Sequence, residues 1–224
     1  MFESSWPQNS HFNNHFMPSD AAVIIANGEF SASPAQLEDI RKAKHLIAVD
    51  GGIEHCIRAK LYPHLLVGDF DSVSDTSLAV FGDVPKVALP SDKDESDLEV
   101  AIKRALEITQ GPLLIFGAGG GRTDHLLYNL YLLARYAGRT SLESEKERLF
   151  VIREGRQIAS TPGQILSLLP LNGLVQGVSS KGLKWELSEA KFDKHWMSLS
   201  NVCQGREVTI SVTHGDLLCC MQLR

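Results

Sequence analysis

Short apolar runs alternate with amphipathic stretches through the first part of the chain, and this alternation constrains the fold more than any other feature. Runs such as Ala22–Ala26 and Leu113–Phe116 have the composition of buried strands, whereas Ser96–Ile108 carries its apolar residues at helical spacing. Strands that alternate with helices are typical of a mostly parallel sheet covered on both faces. We therefore predict an α/β domain with a mostly parallel sheet over residues 20–139.

The pattern changes after Gly138. Residues 139–146 are polar and are predicted to form a linker, and the short apolar runs beyond them are separated by turn residues. Because helical periodicity is nearly absent there, we predict an all-β sandwich or barrel over residues 147–224. Its strands are expected at residues 149–153, 155–159, 165–170, 173–178, 182–187, 208–212 and 217–223, and around Val202.

Charge, hydropathy and cysteine usage argue against several classes of protein. A net charge of −5 leaves no basic surplus to neutralise phosphates, so no nucleic-acid partner is expected. No stretch approaches the about 20 apolar residues of a membrane span and no signal peptide is visible, so we expect a cytoplasmic protein without a membrane partner. The cysteines show neither a C-x-x-C pair nor zinc-like spacing and are expected to be reduced. Residues 1–19 are predicted to be a flexible arm.

Two carboxylates follow the apolar run Leu65–Val67. If that strand continued through residue 71, Asp69 and Asp71 would point to one side, because side chains alternate along a strand. Like charges so placed repel unless a proton or a cation lies between them, and Mg²⁺ prefers such oxygen ligands. Alternatively, both aspartates form a turn, or Asp71 and Ser72 cap the next helix.

A second acidic group, Asp92–Asp97, precedes the clearest predicted helix. Acids at a helix start complement its dipole, and Ser96 with Glu99 fits a capping box, so a solvated helix start explains much of this segment. Asp94 and Asp97 can nevertheless share a helical face, and Asp97 would supply a third carboxylate to a Mg²⁺ site.

A glycine-rich segment, Gly117–Gly121, leads from a predicted strand into a helix and is followed by Arg122. Backbone N–H groups in such a turn can bind an anion, and a guanidinium has the geometry to bind phosphate. The segment matches neither the P-loop nor the dinucleotide pattern, and the alternative is that Thr123 or Asp124 caps the helix while His125 packs.

All of these groups follow predicted strands, as do Asn27–Gly28 and Asp50–Gly52. Ligands of parallel sheets bind at the carboxyl ends of the strands, so the groups are expected to lie together. Acids for a metal and donors for phosphate indicate phosphoryl or nucleotidyl transfer.

At this point the motifs resemble those of the thiamine pyrophosphokinases, which transfer a pyrophosphoryl group from ATP to the hydroxyethyl group of thiamine. The matching segments, in order, are Asp50–Gly52, Gly68–Ser72, Asp92–Asp97, Gly120–His125 with Asn129, and Gly182–Trp185 followed by Ser200–Asn201. They extend over nearly the whole chain beyond residue 20, so their combined order is specific. The chain departs from the family pattern at Ser96 and Leu199, where Thr is common.

The resemblance implies a thiamine diphosphokinase that uses ATP as co-substrate and Mg²⁺ as cofactor and acts as a homodimer. The implied catalytic residues are Asp69, Asp71, Asp97, Arg122 and Asp124, of which the first three are the implied metal ligands. The residues implied to bind the nucleotide and its metal are Asp50, Gly51, Gly52, Asp94, Gly120, Gly121, His125 and Asn129. The thiamine pocket of the β domain, shared across the dimer, is implied to contain Ser200, Asn201 and Trp185.

Several questions stay open from the sequence. Trp185 could stack on thiamine or pack in the core, and we favour the core. Either Asp97 or Asp124 could accept the proton of the thiamine hydroxyl. The rival functions are a non-catalytic thiamine or nucleotide sensor and a Mg²⁺-dependent nucleotide hydrolase.

Overall fold

The computed structural model describes residues 17–71, 73–90, 92 and 94–223, which form two units. Of the described residues, 17–129 and 142–145 belong to an α/β unit, and 130–141 and 146–223 belong to a β unit. The predicted arm lies almost wholly outside the described residues. Within the described part of the chain, no helix is both long and apolar enough to cross a membrane.

The helices and strands alternate first and then give way to strands alone. In chain order they are β1 (Ala22–Ile25), α1 (Pro34–Arg41), β2 (His45–Val49), α2 (Gly52–Ala59), β3 (Leu65–Gly68), α3 (Asp75–Val80), β4 (Lys86–Ala88), α4 (Asp97–Ile108), β5 (Leu113–Phe116), α5 (Thr123–Arg135), β6 (Thr140–Glu143), β7 (Glu147–Ile152), β8 (Gly155–Ala159), β9 (Ile165–Pro170), β10 (Val175–Lys181), β11 (Ala190–Phe192), β12 (Ser198–Val202), β13 (Glu207–Ser211) and β14 (Leu217–Gln222).

The α/β unit contains five parallel strands in the order β5-β1-β2-β3-β4. Every residue of β1 and β5 is buried, as expected for parallel strands covered on both faces. The described residues therefore confirm the predicted α/β fold with a mostly parallel sheet.

Serine side chains mark where three helices of this unit begin. Ser33 and Gln36 form a reciprocal capping box, with Ser33 N donating to Gln36 Oε1 at 2.8 Å. Ser74 caps α3 by accepting from Ser77 N, so the cap is Ser74 rather than Asp71 and Ser72. Ser96 caps α4 by accepting from Glu99 N. These caps satisfy N–H groups that have no partner inside a helix.

The β unit has two antiparallel sheets, β12-β9-β14-β7 and β11-β10-β13-β8. Both contribute to one buried cluster, in which Phe150 and Leu217 from the first sheet join Val175 and Val208 from the second. Two sheets around one core make a sandwich, which is one of the two predicted forms. Its three cysteines form no disulfide, and neither does Cys56 of the α/β unit.

Three local predictions were wrong. The expected linker contains β6, whose four residues are all buried although three of them are polar. Residues 182–187 form no strand, and only Leu183 pairs in an isolated bridge with Cys203. The short strand β11 was missed, because three residues are too few to show alternation.

Helix α4 allows a matched test of burial. Ile102 is 0% exposed and Ile108 is 49% exposed on the same helix. Ile102→Ala is expected to lower the free energy of unfolding by about 2–5 kcal/mol through lost burial and a cavity. Ile108→Ala should change it by less than about 1 kcal/mol. Urea denaturation of both variants measures the difference, and equal losses would contradict the assigned faces of α4.

Candidate active site

The carboxyl ends of the parallel strands bring the predicted motifs to one edge of the sheet. Asn27 follows β1, Asp50 follows β2, Asp69 follows β3 and Gly117 follows β5. The strands are parallel and in register, so these ends share one edge. The same edge receives the start of α4, because the Asp97 side chain lies close enough to the Asp50 carboxyl group to raise its pKa.

The segment after β3 turns sharply instead of continuing as a strand. β3 ends at Gly68, and Phe70 has a left-handed φ of 60°. The Asp71 N–H donates to Asp69 Oδ1 at 3.2 Å, and Val73 N donates to the Phe70 carbonyl. The expectation that strand alternation aligns Asp69 and Asp71 is therefore wrong. Both aspartates belong to a turn, which places Asp69 half-buried and Asp71 exposed.

Asp50 lies in the most unfavourable electrostatic position of this edge. Burial, together with the neighbouring charges of Asp97 and Asp69, raises the pKa of Asp50 to about 7. Its Oδ1 is buried and has no hydrogen-bond partner among the described residues. A Cβ at Gly68 would collide with that oxygen, so glycine is needed where the Asp50 carboxylate rests on the end of β3.

The second acidic group divides between loop and helix. Asp94 is exposed in the loop before α4, whereas Asp97 is the first residue of α4 and is half-buried. The contact between Asp97 and Asp50 joins two segments that are far apart in sequence. Asp97, Asp50 and Asp69 thus form a group of like charges, which we call the carboxylate group.

The glycine-rich segment after β5 is hydrogen-bonded through its backbone to the loop after β1. Gly28 N donates to the Gly117 carbonyl at 2.6 Å, and Glu29 N donates to the Gly119 carbonyl at 2.7 Å. A Cβ on Gly28 would meet both of those carbonyl oxygens. Asn129 Nδ2 donates to the Ala118 carbonyl at 2.8 Å, so the buried Asn129 side chain supports the segment from below.

Two predicted nucleotide-site glycines stand at the start of α2. Gly51 is the N-cap of α2, and a Cβ there would collide with the Asn27 side chain. Gly52 is buried with the Ile25 carbonyl directly beside its Cα. Asn27 was noticed at a strand end but was not predicted as a site residue, since only the fold shows that it lies against Gly51.

Arg122 and Asp124 form a two-pronged ion pair just before and within the first turn of α5. Arg122 Nε donates to Asp124 Oδ1 at 3.1 Å, and Nη2 donates to Oδ2 at 2.5 Å. Arg122 lowers the pKa of Asp124 to about 2 through these bonds. Both side chains are largely exposed, as are Gly120, Gly121 and His125. A phosphate can therefore reach the guanidinium, which binds such oxygens in the same geometry.

The donor set fits a hard divalent cation. Asp50 Oδ1 is a buried oxygen without a partner among the described residues, and the surrounding carboxylates repel one another. Carboxylate oxygens are the ligands that Mg²⁺ prefers. In residues 17–71, 73–90, 92 and 94–223, no three or more His, Cys, Asp or Glu side chains are already gathered as a metal cage. Phosphate and water oxygens would therefore have to supply the rest of a coordination sphere at this edge.

The predicted thiamine residues lie in the β unit. Trp185 is 55% exposed, so the expectation that it packs in the core is wrong. Asn201 is buried, and its amide bonds the Trp185 backbone on both sides, with Oδ1 accepting from Trp185 N and Nδ2 donating to the Trp185 carbonyl at 2.7 Å. Ser200 is exposed, has a left-handed φ of 56°, and donates its N–H to Ser167 Oγ. Asn201 thus positions Trp185, because its amide is bonded to the Trp185 backbone and does not point to a ligand.

Two family models match this chain. The model described as thiamin pyrophosphokinase, catalytic domain, matches residues 38–143. The model described as thiamin pyrophosphokinase, vitamin B1 binding domain, matches residues 152–217. Together they cover most of both units in the expected order.

Individual proteins give the same result. The chain is 30% identical over 182 residues to thiamine pyrophosphokinase 2 of Oryza sativa subsp. japonica, which covers 75% of this chain and 68% of the relative. It is 28% identical over 187 residues to thiamin pyrophosphokinase 1 of Caenorhabditis elegans, and the aligned region covers 75% of this chain and 74% of that relative. The crystal structure of thiamin pyrophosphokinase from Geobacillus thermodenitrificans superposes with a TM-score of 0.80 at 25% identity, covering 91% of this chain and 98% of that one. This chain belongs to the thiamine pyrophosphokinase family of transferases.

Proposed function

We propose that this protein transfers a pyrophosphoryl group from ATP to thiamine, giving thiamine pyrophosphate and AMP. The observation that carries the proposal is that one α/β unit holds the carboxylate group, an exposed arginine and a glycine-rich turn, in a chain that matches both family models. The α/β unit offers carboxylates for a metal and hydrogen-bond donors for the phosphates of ATP. The vitamin B1 binding model falls in the β unit. The homodimer implied by the resemblance stays a prediction.

ATP binding is assigned to the edge where the strands end. Gly120 and Gly121 are exposed with left-handed φ angles. Gly121 has open space beside it where its backbone can face an anion, whereas the Glu29 side chain lies against Gly120. Gly51 and Gly52 start α2, whose N-terminus favours negative charge. Arg122 is the fixed positive charge of the site, and it would exchange its bonds to Asp124 for bonds to the transferring phosphoryl oxygens.

Mg²⁺ is assigned to Asp69, Asp71 and Asp97, with Asp50 beside them. When bound, the ion would supply neutralisation of the charge that develops on the phosphate oxygens. Asp97 is oriented by the Ser96 cap at the start of α4, and Asp69 by its bond from the Asp71 N–H.

The thiamine hydroxyl must lose a proton as it attacks the β-phosphorus of ATP. Its bonds to Arg122 hold the pKa of Asp124 at about 2 until the guanidinium turns to phosphate, so Asp124 could accept the proton only after those bonds are exchanged. Asp97 and Asp124 both stay candidates for the proton acceptor. The exposed ring of Trp185, positioned by Asn201, is assigned to stacking on thiamine.

One incubation separates the proposed reaction from its rivals. Purified protein with ATP, Mg²⁺ and thiamine is expected to form AMP and thiamine pyrophosphate in equal amounts, as measured by chromatography. ADP or phosphate released without thiamine would indicate the hydrolase. Binding of thiamine or ATP without turnover would indicate the sensor.

Asp71→Asn tests the metal assignment. The variant should lower kcat by about a hundredfold or more, because a neutral amide loses charge stabilisation of the transition state. Asp71 is exposed, so the fold should survive. Asp75→Asn, an exposed aspartate in the first turn of α3, is the matched control and should keep near-normal turnover. Near-normal turnover of Asp71→Asn would overturn the assignment of Asp71 as a ligand.

Asp50→Asn tests the cost of ionising Asp50, which comes first from burial and then from the charges of Asp97 and Asp69. A raised pKa means that the folded state holds its proton more tightly than the unfolded chain, so this contribution to stability is complete below the ordinary pKa of 3.8 and is lost as pH rises through about 7. Asparagine tolerates the left-handed φ of 45° at this position.

The metal-free Asp50→Asn variant should therefore melt at a higher temperature than the wild type at about pH 8, with a difference that shrinks toward about pH 4. Thermal unfolding of both proteins in EDTA, from about pH 4 to about pH 8, measures this difference in melting temperature. A difference that is constant with pH, or that grows toward acid, would refute ionisation of Asp50 as its cause.

Asn201→Ala tests the thiamine assignment separately. Loss of the amide frees the Trp185 backbone, so the KM for thiamine should rise by about tenfold while the KM for ATP is unchanged, in keeping with the loss of one or two hydrogen bonds. Asn172→Ala, an exposed asparagine of the same unit, is the control. Initial rates against each substrate provide the measurement, and an unchanged KM for thiamine would count against Trp185 as a thiamine contact.

A further inference from the structure

A buried carboxylate on α4 has no role in the reaction as assigned above. Glu99 is only 2% exposed and lies two residues after Asp97. A carboxylate removed from water destabilises the fold unless it is paired or hydrogen-bonded. The sequence explained Glu99 only as a capping residue, which would not require its side chain to be buried.

The partner of Glu99 comes from the next helix. The Tyr128 hydroxyl donates to Glu99 Oε2 at 2.7 Å. Tyr128 lies on α5 one turn after Asp124, so the two residues are on the same face of that helix. The hydrogen bond therefore joins the first turn of α4 to the first turns of α5.

Lys103 extends this connection to the acidic loop. Its Nζ lies 2.6 Å from Glu95 Oε1 and 3.9 Å from Glu99 Oε1. The Lys103 and Glu95 side chains are 43% and 44% exposed, and an ion pair in such a position contributes little. The Glu99–Tyr128 bond joins a buried carboxyl group to a half-buried tyrosine, so it is the stronger of the two connections.

We propose that the Glu99–Tyr128 hydrogen bond is a positioning contact that fixes Asp97, at the start of α4, relative to Arg122 and Asp124, at the start of α5. Asp97 and Asp124 lie within about one helical turn of the bond and Arg122 within about two turns, so a shift of either helix start moves these groups. A misplacement of about 1 Å at a reacting centre can lower the rate by a hundredfold. The effect on turnover rests on the proposed function, whereas the contact between the helices does not.

Kinetics provide the first readout. Tyr128→Phe removes only the hydroxyl and should lower kcat by about tenfold, with the KM values for ATP and thiamine within about twofold of wild type. Glu99→Ala should lower kcat similarly, and Glu99→Gln, which keeps an acceptor for the hydroxyl, should recover most of the loss. Tyr131→Phe, a 52% exposed tyrosine of the same helix, is the matched control.

A merely stabilising bond would leave kcat unchanged in protein that circular dichroism shows to be fully folded at the assay temperature. Unchanged kcat in Tyr128→Phe, or no recovery in Glu99→Gln, would overturn the proposal.

Amide hydrogen exchange provides a second readout that needs no turnover. In Tyr128→Phe, peptides from the first turns of α4 and of α5 should both exchange faster, by about tenfold, whereas Tyr131→Phe should leave both unchanged. Acceleration in α5 alone would refute the contact as a connection between the helices. A wild-type protein that makes no thiamine pyrophosphate but shows the coupled exchange would refute the proposed function and leave the positioning contact intact.

Discussion

Like charges held close together at the carboxyl edge of the parallel sheet are the constraint on which the α/β unit depends. Asp50 and Asp69 come from adjacent strand ends, and Asp97 comes from the start of a helix whose cap is Ser96. Burial, together with their repulsion, raises the pKa of Asp50 and opposes folding with that group ionised. A chain selected only for stability would not keep such a group, so its presence indicates a site where a cation is expected.

The backbone around the carboxylate group is shaped to make room for it. Gly68 provides the space into which the Asp50 carboxylate fits, and left-handed conformations at Asp50 and Phe70 turn the chain at the strand ends. Gly28 and Gly117 allow the loops after β1 and β5 to bond through their backbones. These glycines serve one purpose, which is close approach of backbone to backbone or to a carboxylate. Gly120, Gly121 and Arg122 stay exposed, so an anion can reach them.

The motifs at the strand ends could be predicted from the sequence because parallel sheets gather strand ends at one edge. The role of Asp50 beside Asp97 could not, since it depends on strand order and on where α4 begins. Strand β6 was not predicted, because Thr140 and Ser141 are polar and yet buried. The Thr140 Oγ1 donates to the Tyr136 carbonyl, a bond that the sequence pattern does not show. The exposure of Trp185 was missed because the Asn201 amide holds its backbone, and such a bond leaves no periodic signal.

The pKa values of two aspartates of the α/β unit are shifted in opposite directions, and this difference separates their roles. Asp124 is exposed and bonded to Arg122, which holds its pKa at about 2, whereas burial among like charges raises the pKa of Asp50 to about 7. A polyphosphate would compete with Asp124 for the guanidinium but would not compete with Asp50. Asp124 therefore acts on the proposed reaction through Arg122, by keeping the guanidinium oriented until phosphate replaces it. The cost of ionising Asp50 instead falls on the folded protein before substrate binds, and any ligand that brings positive charge to that edge relieves it.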